Sequence, residues 1–232
     1  MEKRIVLLHG WRAESGKLKP LALALQSLGW QVENLDLPGF GLPNPQVGWG
    51  VADYADYVAN QAKRKFSNGN YVVFGHSFGG RVAIKLAARN LANLQGMVLC
   101  APGGLSRPNS IKRTFFAGAA RIGKTFGLAK YGWLLHKLAG EHDYEKTSGG
   151  MRETFLKVIA EDLRQILPQI RIPTLVLWGK QDRIVPYQDG ELARDEISRS
   201  QLRLFDGYGH RLPYEVPEEI AKEVDRWFSS LT

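Results

Sequence analysis

Tyr71-Val72-Val73-Phe74-Gly75-His76-Ser77-Phe78-Gly79-Gly80-Arg81-Val82 is an apolar run that halts at a glycine, presents a serine and passes at once into a helical pattern. Tyr71 to Phe74 is short, aromatic and β-branched, which suits a buried strand. Phe78 to Asn90 spaces its apolar residues as a helix does. Between them stands Gly-x-Ser-x-Gly, with Ser77 at its centre. A serine that attacks a carbonyl has to stand clear of its sheet on a sharp turn. Glycines two positions before and two after remove side chains that would collide with the neighbouring strand and helix. The helix start then lies beside the reacting centre and favours negative charge developing there. The same pattern also occurs as an inert glycine-rich turn, so the surrounding chain has to decide.

Outward from this stretch, strands and helices alternate. Ile5 to Leu8 reads as a buried strand stopped by His9-Gly10, Leu18 to Leu28 as a helix ending at Gly29, and Gln31 to Leu35 as the next strand. Val51 to Phe66 sets Val51, Tyr54, Ala55, Val58 and Ala62 on one helical face, and Leu94 to Cys100 is a further strand. After a break the alternation resumes, with strands at Pro173 to Trp178 and Leu202 to Phe205 and helices at Gln188 to Ile197 and Glu218 to Phe228. Connections this long exclude hairpins. The fold class is therefore α/β, a mostly parallel sheet with helices on both faces. The break, residues 106–168, is rich in helix formers and holds no clear strand. It predicts a helical insertion between two parts of one core domain, residues 1–105 and 169–232.

Two later positions carry matching signals. Leu175-Val176-Leu177-Trp178-Gly179-Lys180-Gln181-Asp182 leaves a strand through a glycine turn into an aspartate. Leu202 to Phe205 leads through Asp206-Gly207-Tyr208-Gly209 to His210. Taken singly, Asp182 reads as a turn or capping residue, and a loop histidine is commonly inert. Of the five histidines, His9 and His76 adjoin other motif positions, His136 and His142 fall in the insertion, and His210 alone follows the last strand.

With these three positions in the order serine, aspartate, histidine, the chain resembles the α/β-hydrolase family, whose serine sits in such an elbow. The resemblance implies that Ser77 is the nucleophile, His210 its base and Asp182 the acid that orients the histidine. It implies an oxyanion hole of two backbone N–H groups, from Trp11 after the first strand and Phe78 after the nucleophile. His9, Gly10, Trp11 and His76 become candidates for the substrate pocket, although His9 also reads as a buried brace of its loop. Asp36-Leu37-Pro38-Gly39-Phe40-Gly41 resembles a turn of small carboxylesterases, the methyl-ester esterase of biotin synthesis and carbon–carbon bond hydrolases. Dehalogenase and epoxide-hydrolase relatives carry aspartate where Ser77 stands, which argues against both activities. The family's usual first two strands are expected to be absent, leaving a sheet edge to be protected.

The implied reaction is cleavage of carboxylic esters of small to medium acyl length through an acyl-enzyme. Carbon–carbon hydrolase, thioesterase and lipase activities would use the same three residues. A ligand-binding receptor on a hydrolase fold is the alternative from another class. The reaction needs no metal or organic cofactor, and the sequence offers no Cys/His cluster and no phosphate-binding loop.

Composition bounds the rest. The chain has 232 residues, 44% of them hydrophobic, and a single cysteine, Cys100, so an internal disulfide is excluded. No apolar run approaches the roughly 20 residues that span a bilayer. Ile5 to Leu8 is too short for a signal-peptide core, which reads as a cytoplasmic protein. Between Arg107 and Gly140 lie seven Lys and Arg and no Asp or Glu, nearly all of the net charge of +8. Ile111, Phe115, Ala119, Ile122 and Phe126 follow helical spacing there, with Arg113, Arg121 and Lys124 on the other side. Such a segment reads as a lid helix with solvated basic residues, or as a docking surface for anionic lipid or an acidic carrier protein. No nucleic-acid motif accompanies it.

Overall fold

The computed structural model describes residues 2–105 and 149–231. In chain order its strands are β1 (Arg4–Leu8), β2 (Gln31–Leu35), β3 (Leu37–Pro38), β4 (Gly41–Leu42), β5 (Tyr71–His76), β6 (Leu94–Cys100), β7 (Thr174–Gly179) and β8 (Ser200–Phe205). Its helices are α1 (Lys19–Ser27), α2 (Val51–Phe66), α3 (Phe78–Ala87), α4 (Gly149–Ala160), α5 (Gln188–Glu196), α6 (Leu212–Glu215) and α7 (Pro217–Ser229). The main sheet runs in the order β2-β1-β5-β6-β7-β8, and every pair in it is parallel. The short β3 and β4 pair apart from it, within the expected turn.

Apolar runs become strands here because both faces of a parallel sheet are covered. Ile5, Val6, Leu7 and Leu8 are all fully buried. Their side chains alternate between two cores. Val6 and Leu8 join Val73, Met97, Leu99, Val176 and Trp178 on one face, under α2, α3 and α5. Ile5 and Leu7 join Val72, Phe74, Val98, Leu175 and Leu177 on the other, under α1 and α7. Helix α2 shows how local chemistry agrees with packing. It buries Val51, Tyr54, Ala55, Val58, Ala62 and Phe66 along one face. The Asp53 carboxylate accepts the Gly50 N–H at its start (2.7 Å), and Lys63, Arg64 and Lys65 face the negative end of its dipole.

Strand β8 begins two residues before the apolar run that announced it. It lies at a sheet edge, where Gln201 and Arg203 point outward and no continuous apolar run is needed. At the other edge, β2 has no strand beyond it among the described residues, and its residues before Leu35 are part-exposed.

The expected insertion is described only in its later part. Helix α4 is fastened to the core at both ends. Glu153 and Thr154 accept the N–H groups of Gly48 (3.1 Å) and Trp49 (2.8 Å), and Lys157 donates to the Gly48 carbonyl (2.7 Å). At its C-terminus Arg81, from α3, donates to the carbonyls of Val158 (2.6 Å) and Glu161 (3.1 Å). The expected boundary at residue 168 falls inside a 3₁₀ turn, Arg164–Gln169, whose Leu167 is buried in the core. The basic segment from Arg107 to Lys137, the lid helix expected across Ile111 to Phe126, His136 and His142 lie outside the described residues. Among the described residues no helix is long and apolar enough to cross a membrane.

Candidate active site

The chain passes from β1 outward to β2, then returns to place β5 on the other flank of β1. Their carboxyl ends therefore diverge, and the loops that leave them open a crevice. His9-Gly10-Trp11 leaves β1 there, and Ser77 leaves β5 there.

Ser77 has φ 52° and ψ −107°, a conformation that costs a non-glycine residue on the order of 1–3 kcal/mol. Its surroundings enforce it. The Ser77 N–H donates to the Cys100 carbonyl at the end of β6 (3.0 Å), and the Gly79 N–H donates to the His9 carbonyl (3.0 Å). The two motif glycines are steric necessities. A Cβ on Gly75 would stand 2.3 Å from the Gly79 carbonyl oxygen, and one on Gly79 would stand 2.3 Å from the Leu8 carbonyl oxygen. Helix α3 can begin this close to β1 only without those side chains.

The structure brings Ser77, Asp182 and His210 together from three strand ends. His210 Nε2 lies 3.0 Å from Ser77 Oγ, and His210 Nδ1 lies 2.8 Å from Asp182 Oδ2. A carboxylate can only accept, so Nδ1 carries the proton and Nε2 is left to accept from the serine hydroxyl. The other Asp182 oxygen accepts the N–H groups of Ile184 (2.8 Å) and Val185 (2.9 Å). Burial of Asp182 opposes its charge. The His210 hydrogen bond and charge and these two N–H groups outweigh burial and hold its pKa below the usual carboxylate value. The loops that carry the acid and the histidine are joined, the Gln181 N–H donating to the Tyr208 carbonyl (2.9 Å).

Phe78 opens α3 and Trp11 follows Gly10. Among the described residues, neither backbone N–H is taken by an acceptor. The Trp11 ring packs on Phe40 (centroids 4.7 Å apart), Phe78 (5.0 Å) and Phe155 of α4 (5.3 Å). These rings form an apolar wall beside the Ser77 turn.

The other pocket candidates sit differently. His9 is fully buried, its Nε2 accepting the Leu37 N–H (3.2 Å) and its Nδ1 near the Gly10 carbonyl (2.9 Å). Burial lowers its pKa. It braces the β1 loop against the turn after β2, the alternative its sequence context had offered. His76 is 3% exposed and faces Tyr214 and the His210 main chain rather than the crevice. Gly10 is buried too, and a Cβ there would meet His76 Nδ1 at 3.2 Å. Of these four candidates only Trp11 is left part-exposed. Two residues at the site carried no signal in the sequence. Phe155 belongs to the insertion, and Tyr214 lies on α6, a turn too short to show periodicity. Among the described residues, no group of three or more His, Cys, Asp or Glu could hold a metal ion.

A parallel sheet flanked by helices, with a strained serine elbow at its switch point and an aspartate and histidine on later strand ends, is the architecture of an α/β hydrolase. The chain matches the model of the family described as serine aminopeptidase, S33, over residues 1–217, and it belongs to that family. It is 28% identical to the AB hydrolase superfamily protein YisY of Bacillus subtilis, covering 97% of this chain and 91% of the relative. It is 24% identical to a pimeloyl-[acyl-carrier protein] methyl ester esterase of Nitrosomonas europaea, covering 95% and 94%. In fold it is similar to an esterase from Exiguobacterium antarcticum, with a TM-score of 0.73 at 21% identity over 97% of this chain and 91% of that one.

Proposed function

We propose that this protein hydrolyses carboxylic esters of small to medium acyl length through an acyl-enzyme on Ser77. The continuous chain of contacts from Asp182 through His210 to Ser77 Oγ carries this reading. His210 Nε2 takes the hydroxyl proton as Oγ bonds to the ester carbonyl carbon, and Asp182 stabilises the imidazolium that forms. The backbone N–H groups of Trp11 and Phe78 receive the tetrahedral oxyanion. His210 returns the proton to the leaving alcohol as the carbon–oxygen bond breaks. Water, deprotonated by the same nitrogen, then releases the acid and restores the serine.

The Trp11, Phe40, Phe78 and Phe155 rings favour an acyl group with an apolar portion. The name of the Nitrosomonas relative supports an ester as the scissile bond. Phe155, from the described part of the insertion expected over residues 106–168 between core residues 1–105 and 169–232, contributes to the apolar wall.

A panel of p-nitrophenyl esters of rising acyl length tests the proposal, with Ser77→Ala as control and aminoacyl p-nitroanilides beside it because of the family's description. We expect turnover of the short and medium esters, labelling of wild type by a fluorophosphonate probe, and neither with Ser77→Ala. Folded wild type that takes no label overturns the nucleophile, and turnover confined to the anilides overturns the ester.

A further inference from the structure

Behind the reacting groups lies a part-buried chain of polar contacts, centred on the buried His76, that the hydrolytic mechanism does not use. His76 Nε2 lies 2.8 Å from the main-chain carbonyl of His210, and His76 Nδ1 lies 3.0 Å from the Tyr214 hydroxyl. The Gly10 N–H faces that same phenol oxygen. Every direction in the chain is forced. A carbonyl cannot donate, so His76 Nε2 carries the ring proton. Nδ1 must then accept, so the Tyr214 hydroxyl donates to it. An amide N–H cannot accept, so Gly10 donates to Tyr214. The sequence of donors is Gly10 N–H to Tyr214 O–H to His76 Nδ1, then His76 Nε2–H to the His210 carbonyl.

We infer that Tyr214 and His76 are positioning residues that lock the oxyanion loop, the nucleophile elbow and the histidine loop into one geometry. The inference rests on the proposed roles of Ser77 and His210. The three segments leave different strands, and transition-state stabilisation requires the Trp11 N–H, Ser77 Oγ and His210 Nε2 to keep their spacing together. Gly10 is the neighbour of Trp11, His76 is the neighbour of Ser77, and the third end of the chain is the backbone of His210 itself. Packing supports the connection, with the His76 ring centroid 5.0 Å from those of both His210 and Tyr214. Burial, followed by the nearby His210, pushes the His76 pKa down to about 3, so the ring stays in the neutral form the chain requires. Burial likewise pushes Tyr214 up to about 12, so its proton is retained.

Three variants test the chain. Tyr214→Phe keeps the ring and deletes the shared hydroxyl. His76→Asn keeps an acceptor near Nδ1 and loses the donor to His210, while His76→Gln keeps a donor near Nε2 and loses the acceptor. Steady-state kinetics on a turned-over p-nitrophenyl ester should show kcat lowered by about ten- to a hundredfold with KM nearly unchanged, as expected when reacting groups lose register by a fraction of an ångström. In the double variant Tyr214→Phe/His76→Gln, the loss should be no larger than that of the worse single variant, because one chain is cut twice. Fluorophosphonate labelling of each variant, slowed but still complete, keeps this test apart from the nucleophile: Ser77→Ala alone should abolish it. Wild-type kcat in folded Tyr214→Phe overturns the inference. Losses that multiply in the double variant, or that appear in KM alone, also overturn it.

Discussion

Replacing Gly79 by alanine adds one methyl group at the closest approach between α3 and β1. That Cβ would lie 2.3 Å from the Leu8 oxygen, 2.6 Å from the Leu8 carbon and 2.7 Å from the His9 oxygen. All three are backbone atoms at the end of a central strand, so no side chain can swing aside. Restoring ordinary contact, about 3.4 Å, moves the start of α3 outward by roughly 1 Å. The motion lengthens the bond from the Gly79 N–H to the His9 carbonyl, now 3.0 Å, and carries Ser77 and the Phe78 N–H with it. Overpacking of this kind costs about 1–3 kcal/mol, which lowers Tm by roughly 2–4 °C per kcal/mol for a domain of this size. The effect on rate is larger, because misplacing reacting groups by 1 Å costs on the order of a hundredfold. Gly16→Ala is the control, since a Cβ there meets nothing within 4 Å. Thermal melts with fluorophosphonate labelling rates read both effects. A Gly79→Ala protein with the melting temperature and labelling rate of Gly16→Ala would refute the account of the elbow.

Two further outcomes follow from the charges. Asp182→Asn should lower kcat by about four orders of magnitude with the fold intact, because an amide can offer its N–H to Nδ1 and favour the wrong tautomer; a loss below tenfold would remove Asp182 from the mechanism. His76 ties stability to pH. Its folded pKa of about 3 lies below the ordinary 6.5, so the unfolded chain binds the extra proton between those values and stability falls as pH drops through that window. The groups facing it are His210, Asp182, His9 and Tyr214. His9, lowered in the same direction, adds to the slope. Urea midpoints at pH 7 and pH 5 should therefore differ less for His76→Gln than for wild type, and an equal difference would contradict a buried neutral ring.

Legibility followed the range of the forces involved. Strand β5 and helix α3 could be read from Tyr71 to Asn90 because their signals, apolar period and glycine spacing, are local. The order of Asp182 and His210 along the chain was legible for the same reason, since each follows its own strand and glycine turn. His76 could be named only as a pocket candidate, and His9 as a candidate or a brace of its loop, because a residue's neighbour in sequence does not say which way its side chain leaves the strand end. Burial and pairing with Leu37, Tyr214 and the His210 carbonyl decided that. Phe155 and Tyr214 had no legible role because each meets its partners across long stretches of chain.

The sequence by itself determined a buried parallel sheet, its alternation with helices, a serine held on a glycine-flanked turn and the strand ends from which an acid and a histidine would come. Those properties depend on steric and hydrophobic patterns within a few residues. Only the tertiary structure decided that the order of strands reverses at β1, so that the loops of His9 and Ser77 open on one crevice. It alone set the 2.8 Å and 3.0 Å contacts through His210 and joined Gly10, Tyr214, His76 and His210 behind them. Apart from His210 and Asp182, which stand 28 positions apart, these contacts join residues more than a hundred positions apart, and only the packing of two cores on one twisted sheet fixes where they meet.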